Sequence, residues 1–287
     1  MMTTTTLSQL IEKAGDMRVM PTVARRVMEL MDDENSTSAS VGEAMSKDQS
    51  LAAHILKVAN SALFGLSREI TNMTMAVSVL GRNNIRNAIM LLTARAAYKR
   101  FGITEKMLWT HSVTCAVAAR LVADRYAREV TDDAFVCGLL HDVGKVILNN
   151  ECPEQFAEVM MQTYNDDASF IEAEQRVFGF THTEVGALVT EKWNYPSVIS
   201  HSIRYHHCQE EALPEPADEV TYKVTNAVDL ANSICKVLGA GYRVPKPDLP
   251  LQERPSFLSF NISVDQIENL IEGCQLAFDQ EASDWLG

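Results

Sequence analysis

The residues able to do chemistry gather around Gly138-Leu139-Leu140-His141-Asp142-Val143-Gly144-Lys145, where an adjacent His-Asp pair interrupts an apolar run. Imidazole nitrogen and carboxylate oxygen are both metal ligands, and together they suit a divalent ion of the zinc, iron, manganese or nickel kind. Taken alone, the dipeptide reads more simply as a helix end, with Asp142 capping backbone amides and His141 hydrogen-bonded at the edge of a core. The spacing of His111, His182, His206 and His207 turns the reading toward a metal. They stand tens of residues away on both sides, which is how separate helices of a bundle contribute ligands to one site.

The elements that must position these residues read as helices throughout, and nothing reads as a sheet. Apolar residues at helical spacing mark helices over 7–15, from Thr22 through Met31, after Ser40, and after Asp48, where Leu51, Ile55 and Val58 share a face. Asn60 and Ser61 then shape a helix end by bonding nearby carbonyls. Two helices follow from Asn72 to Tyr98, broken at Leu80-Gly81-Arg82-Asn83-Asn84. Trp109-Thr110-His111-Ser112 opens a long helix, Asp132-Asp133 opens the one that delivers His141 and Asp142, and Gly144 loosens the backbone beside them. Further helices run over Ser169–Phe178, from Thr181 to Trp193, from Ile199 to His207 and from Val220 to Leu238, the last placing Asp229 and Asn232 one turn apart. Prolines 245, 247, 250 and 255 make 240–261 a loop or strap, and Ser263 with Gln266 forms a capping box for a final helix.

Composition shifts near Phe101-Gly102, and almost all the histidine follows it. The expected organisation is an N-terminal helical part over 1–101, a histidine-bearing core over 102–240, and a strap with a C-terminal helix over 241–287, packed as one body. With 287 residues, 46% of them apolar, the core is ample. A formal charge of -13 argues against broad attachment to nucleic acid. Arg82, Arg86, Arg95, Lys99 and Arg100 form a modest positive cluster that reads as a solvated helix face or a contact for an acidic partner. Six cysteines without a C-x-x-C pair read as reduced thiols. With neither a signal-like N-terminus nor an apolar run of about 18 residues, the expectation is a cytoplasmic protein with no membrane partner.

The ordered segments Met20-Pro21-Thr22-Val23-Ala24, Val58-Ala59-Asn60-Ser61-Ala62, Ala76 to Gly81, Leu108 to Ser112, Gly138 to Lys145, Thr181-His182, Lys192 to Pro196 and His206-His207 together resemble the HDOD family, signalling-associated relatives of HD-type metal-dependent phosphohydrolases. The resemblance implies an all-α, multi-helix bundle of the HD-domain type with an N-terminal helical subdomain packed against it. It implies that His111, His141 and Asp142 hold a first metal, with Asp142 bridging to a second held by His182, His206 and His207. It matches Lys145 to a lysine that contacts substrate phosphate. The last ligand falls on Asp229 or Asn232, and the Gly-Tyr-Pro signature of cyclic-dinucleotide phosphodiesterases is missing after His206-His207.

Two functions follow as expectations. One is a signal-transduction output module that acts by binding a protein partner or a nucleotide or phosphate ligand, its residual site holding one or two divalent ions (Fe, Mn, Zn, Ni or Mg) or none. The other is a metal-dependent phosphohydrolase. A third reading, an all-α scaffold with merely satisfied histidines, ranks last because buried polar groups need partners.

Overall fold

The computed structural model describes residues 6–15, 22–33, 35–60, 69–165, 168–193, 195–207, 218–241 and 244–285. Helices and short 3₁₀ turns are the regular structure of these residues, without a strand among them. None of these helices is long and apolar enough to cross a membrane.

The chain forms two compact units. One comprises residues 18–96 with 278–287, the other residues 1–17 with 97–277. Helix α1 (Leu7–Gly15) goes with the histidine-bearing unit instead of the N-terminal part. It is tied there by an ion pair from Lys13 to Glu151 and by the Lys192 ammonium, which donates to the Glu12 carbonyl at 3.2 Å.

The smaller unit is built from α2 (Thr22–Asp32), α3 (Ser38–Ser46), α4 (Gln49–Ala59) and α5 (Met73–Ala96). Val27, Val41, Met45, Ile55, Ile85 and Ile89 are shut away in its core. Thr37, not Ser40, caps α3. Ser40 instead bonds back to the Thr37 amide to complete a capping box. The break at Gly81 appears as a kink inside α5, where φ is 77°. One residue later Arg82 reaches the carbonyls of Met31, Asp33 and Ser36, so its charge closes the α2–α3 corner. Asn60 behaves as expected, donating to the Leu56 and Ile70 carbonyls and accepting from the Ile70 amide at 2.7 Å. Ser61, Cys208 and the side chains of His54 and Val58 lie outside the described residues.

The larger unit continues with α6 (Ile103–Tyr126), α7 (Thr131–Leu140), α8 (Val143–Glu151), α9 (Pro153–Asn165), α10 (Phe170–Val177), α11 (His182–Lys192), α12 (Ser197–Tyr205) and α13 (Glu219–Leu238). The 3₁₀ turn Leu251–Glu253, the short helix α14 (Pro255–Ser259) and α15 (Val264–Trp285) follow, α15 belonging to this unit up to residue 277. Helix α6 starts six residues before Trp109, because Glu105 bonds back to the Gly102 amide and closes the first turn there. Val117, Phe135, Leu139, Ile147, Phe156 and Ile234 are buried between these helices. Each such side chain contributes roughly 1.5–3 kcal/mol through lost water contact. Cys115, Cys137, Cys152, Cys235 and Cys274 are free and buried.

Candidate metal centre

His141 and Asp142 occupy the turn between α7 and α8, and each uses its backbone and side chain differently. His141 Nδ1 lies 2.7 Å from the Gly138 carbonyl, one turn back, which aims Nε2 away from its own helix. Asp142 is the N-cap residue of α8 but makes no side-chain capping bond, so its carboxylate is free to face the other histidines. The simple helix-end reading of this dipeptide is therefore half right for His141 and wrong for Asp142.

Around Asp142 the histidines converge from four directions. His111 comes from the middle of α6, His182 from the first residue of α11, and His206 and His207 from the turn that ends α12. Nε2 of His111 and of His141 lie 3.6 and 3.4 Å from Asp142 Oδ2, while Nε2 of His182 and of His206 lie 3.2 and 3.5 Å from Oδ1. The rings of His206 and His207 have centroids 4.1 Å apart, and those of His182 and His207 5.2 Å. Two groups result: His111, His141 and Asp142, and Asp142, His182, His206 and His207, with all ligand atoms of each group within 4.8 Å of one another.

Four of the rings are oriented from behind. Nδ1 of His111 meets the Ala240 carbonyl at 3.1 Å, Nδ1 of His206 the Ile203 carbonyl at 2.8 Å, and Nδ1 of His182 the Glu174 carboxylate at 2.6 Å, beside the His141–Gly138 pair. An acceptor at Nδ1 places the proton there and leaves Nε2 with a bare lone pair, the arrangement that presents histidine to a metal. What faces Asp142 is thus a set of imidazole nitrogens, with the Lys145 ammonium beside them. Nε2 of His207 is buried without a hydrogen-bond partner, and Asp142 Oδ1 and Nε2 of His182 and His206 are buried with only one another in reach. Such a set is unfavourable unless a cation or a proton sits among it. Its three- and four-fold nitrogen and carboxylate donor groups fit a divalent ion of the zinc or iron type.

The electrostatics agree. Burial would raise the Asp142 carboxyl, but His141 and Lys145 beside it hold it well below the usual carboxylate range. Burial pushes His111 and His207 well below the ordinary histidine value and His206 down to about 3, so these three are neutral at any physiological pH. His182 moves the other way. Burial is the largest effect and lowers it, but the Glu174 charge together with hydrogen bonds to Asp142 and Glu174 raises it overall.

Lys145, one turn into α8, is buried with its ammonium 2.7 Å from Asp142 Oδ2 and 4.2 Å from the centre of the Phe170 ring. Asp229 is not in either ligand group. Its carboxylate accepts from Arg254 Nε at 3.1 Å, from Arg254 Nη2 and from Ser256 Oγ, all from the proline-bearing strap. Asn232, one turn on, is buried with Oδ1 unpartnered.

Two glycines let backbones close on the site. A Cβ on Gly144 would fall 1.9 Å from the His182 carbonyl oxygen, so the glycine serves close packing of α8 on α11 more than freedom of the chain. Gly241, at φ 73°, comes against His111, where a Cβ would lie 2.5 Å from the His111 Cβ. The turn that places it also brings the Ala240 carbonyl to Nδ1. Glu174 and Ala240 are functional groups the sequence reading missed. The only trace of the second was Gly239-Ala240-Gly241 at a helix end, and a buried acid such as Glu174 looks in sequence like any solvated one.

Residues 17–209 match the HDOD domain. The chain belongs to the HDOD family. The matched span includes the five histidines of the cluster and Asp142 but stops before Asp229. Among solved structures, the HDOD fold recurs in an HDOD domain protein of unknown function from Geobacter sulfurreducens, with TM-score 0.76 and 24% identity over 98% of this chain and 95% of that one. It recurs in a protein from Shewanella amazonensis named as a candidate phosphohydrolase, with TM-score 0.73 and 21% identity over 96% of each chain. A third, from Marinobacter aquaeolei and named as a candidate signal transduction protein, has TM-score 0.71 and 18% identity over 98% of this chain and 65% of that one. The chain spans 53% of the length of a curated relative, an uncharacterized protein of Treponema pallidum, 24% identical over 286 residues.

Proposed function

We propose that this HDOD chain is a signal-transduction output module whose His/Asp centre holds one or two divalent ions and which acts by binding a protein partner or a phosphate-bearing ligand, without turnover. The observation that carries this is how little room the structure leaves beside the centre. The cavity bordered by His111, Asp142, Lys145, Met160, Tyr164 and Phe170 has a volume of about 10 Å³. That is room for about one water, not for a phosphate ester with its leaving group. Lys145, the residue that would contact phosphate, is turned inward onto Asp142 and covered by Phe170. The Marinobacter relative named for signal transduction supports the same reading.

His111, His141 and Asp142 would hold one ion and Asp142, His182, His206 and His207 the other; a bound ion would supply positive charge and Lewis acidity at this point. That donor set is also what favours the second reading, a metal-dependent phosphohydrolase, in which Lys145 swings out to neutralise phosphate. The two separate in one assay. Protein analysed for metal content and supplied with Mn²⁺ or Fe²⁺ is offered a panel of nucleotides, cyclic dinucleotides and simple phosphodiesters. Bound metal without turnover is the expected result. Turnover of order 1 s⁻¹ or more, abolished by His141→Ala or Asp142→Ala, overturns it in favour of the enzyme.

A further inference from the structure

Helix α11 begins with a metal-ligand candidate at its first position, and the amides of a helix's first turn have no partner within the helix. The Thr181 cap supplies one, through its hydroxyl to the Glu184 amide. The His182 amide is met differently. Glu174, on α10 and fully buried, sends one oxygen, Oε2, to both the His182 amide at 2.8 Å and the His182 Nδ1 at 2.6 Å. A single carboxylate atom therefore fixes the backbone and the ring of the same residue, at the positive end of a helix where a negative charge is favoured. With N and Nδ1 both anchored to one point, the ring has one orientation left, and Nε2 falls 3.2 Å from Asp142 Oδ1.

We infer that Glu174 is the positioning residue for His182, holding its Nε2 toward Asp142 so that the second ligand group is assembled before any ion arrives. The inference rests on the metal reading of the centre for its consequence, though not for the hydrogen bonds themselves. Of the four rings held through Nδ1, His182 is the one held by a carboxylate; His111, His141 and His206 are held by carbonyls. A carboxylate partner fixes the tautomer and makes the opposite nitrogen a stronger donor to a metal.

The test uses the full chain with Zn²⁺ as probe. In metal-free wild type, the proton on His182 Nδ1 should give a downfield, exchange-protected resonance, assigned by its loss in His182→Gln. Glu174→Ala should abolish that resonance and weaken Zn²⁺ binding by about 10- to 100-fold in chelator competition, the range typical for an outer partner of a ligand. Glu174→Gln, which keeps an acceptor oxygen without the charge, should retain a shifted resonance and lose less affinity. It also provides the reading should the alanine variant not fold. Persistence of the resonance in Glu174→Ala, or unchanged Zn²⁺ affinity in both variants, overturns the inference. Wild type that binds no Zn²⁺ removes the metal reading instead, and the resonance then decides alone whether Glu174 holds the ring.

Discussion

Nε2 of His111 and Nε2 of His141 lie 3.1 Å apart, although each ring already gives its Nδ1 to a backbone carbonyl. Two lone pairs at that distance repel unless something positive lies between or beside them. His141→Ala should therefore lower Zn²⁺ affinity by more than about 100-fold, beyond the loss typical of an outer partner. Competition against a chelating dye checks this, and a change under tenfold would mean that the pair is held by a shared proton alone.

His182 must shed a proton before Nε2 can bind a metal, and Glu174 raises its pKa above the ordinary 6.5 against the effect of burial. Zn²⁺ affinity should consequently climb as pH rises through and above 6.5, with His206, at about 3, contributing nothing in that range. The slope should flatten in His182→Gln. An equal slope in that variant would assign the proton to another group.

Metal-free protein should become less stable in acid. His111, His206 and His207 have folded pKa values below the ordinary 6.5, so the unfolded chain binds more protons below that pH. The stability they contribute is complete above 6.5 and is lost as pH falls below it, for His206 toward about 3. His182 has the opposite sign, its contribution complete below 6.5 and lost as pH rises through its raised value. Thermal unfolding of chelator-treated protein between pH 7 and pH 5 should show a falling midpoint, because three groups outweigh one.

Gly144→Ala forces a methyl group into the His182 carbonyl, and neither backbone can yield cheaply. Destabilisation at the upper end of the roughly 1–3 kcal/mol typical of overpacking is expected in urea unfolding. Because the clash is with His182 itself, the surviving folded protein should also bind Zn²⁺ more weakly.

Arg254 and Asp229 form a buried pair, with Ser256 completing the carboxylate. Arg254→Ala leaves the acid buried with Ser256 but without its ion-pair partner, which costs about 3–5 kcal/mol. Urea unfolding reads the loss, and Zn²⁺ content at low denaturant should stay unchanged, since Asp229 belongs to neither ligand group. A fall in bound metal without a fall in stability would put Asp229 back among the ligands.

Helix periodicity made most of the fold legible. The helices from Leu7, Thr131, Phe170, His182 and Glu219 begin within a residue or two of where apolar spacing and capping residues place them, because those signals are local. The start of α6 was misplaced for a local reason too: Gly102 carries no side-chain cap, so Glu105 bonding back to its amide was the only mark. The ligand types were equally local. His141 and Asp142, set in an apolar run, are visible without coordinates, and His111, His182, His206 and His207 were named beside them from their spacing and from the family resemblance.

The sequence by itself determined the helices, the residue types and the family likeness, each of which depends on neighbours a few positions apart. Only the tertiary structure decided which acid does what. Asp142 and Asp229 are both buried carboxylates in helical segments, yet one faces four histidine rings and the other is closed off by Arg254 and Ser256, partners 25 and 27 residues away. Glu174 stands on a short polar helix like its solvated neighbour Glu172, and burial against His182 alone gives it a role. Pairing across helices fixes a side chain's charge, orientation and access, and no pattern along the chain encodes which distant backbone will arrive to supply the partner.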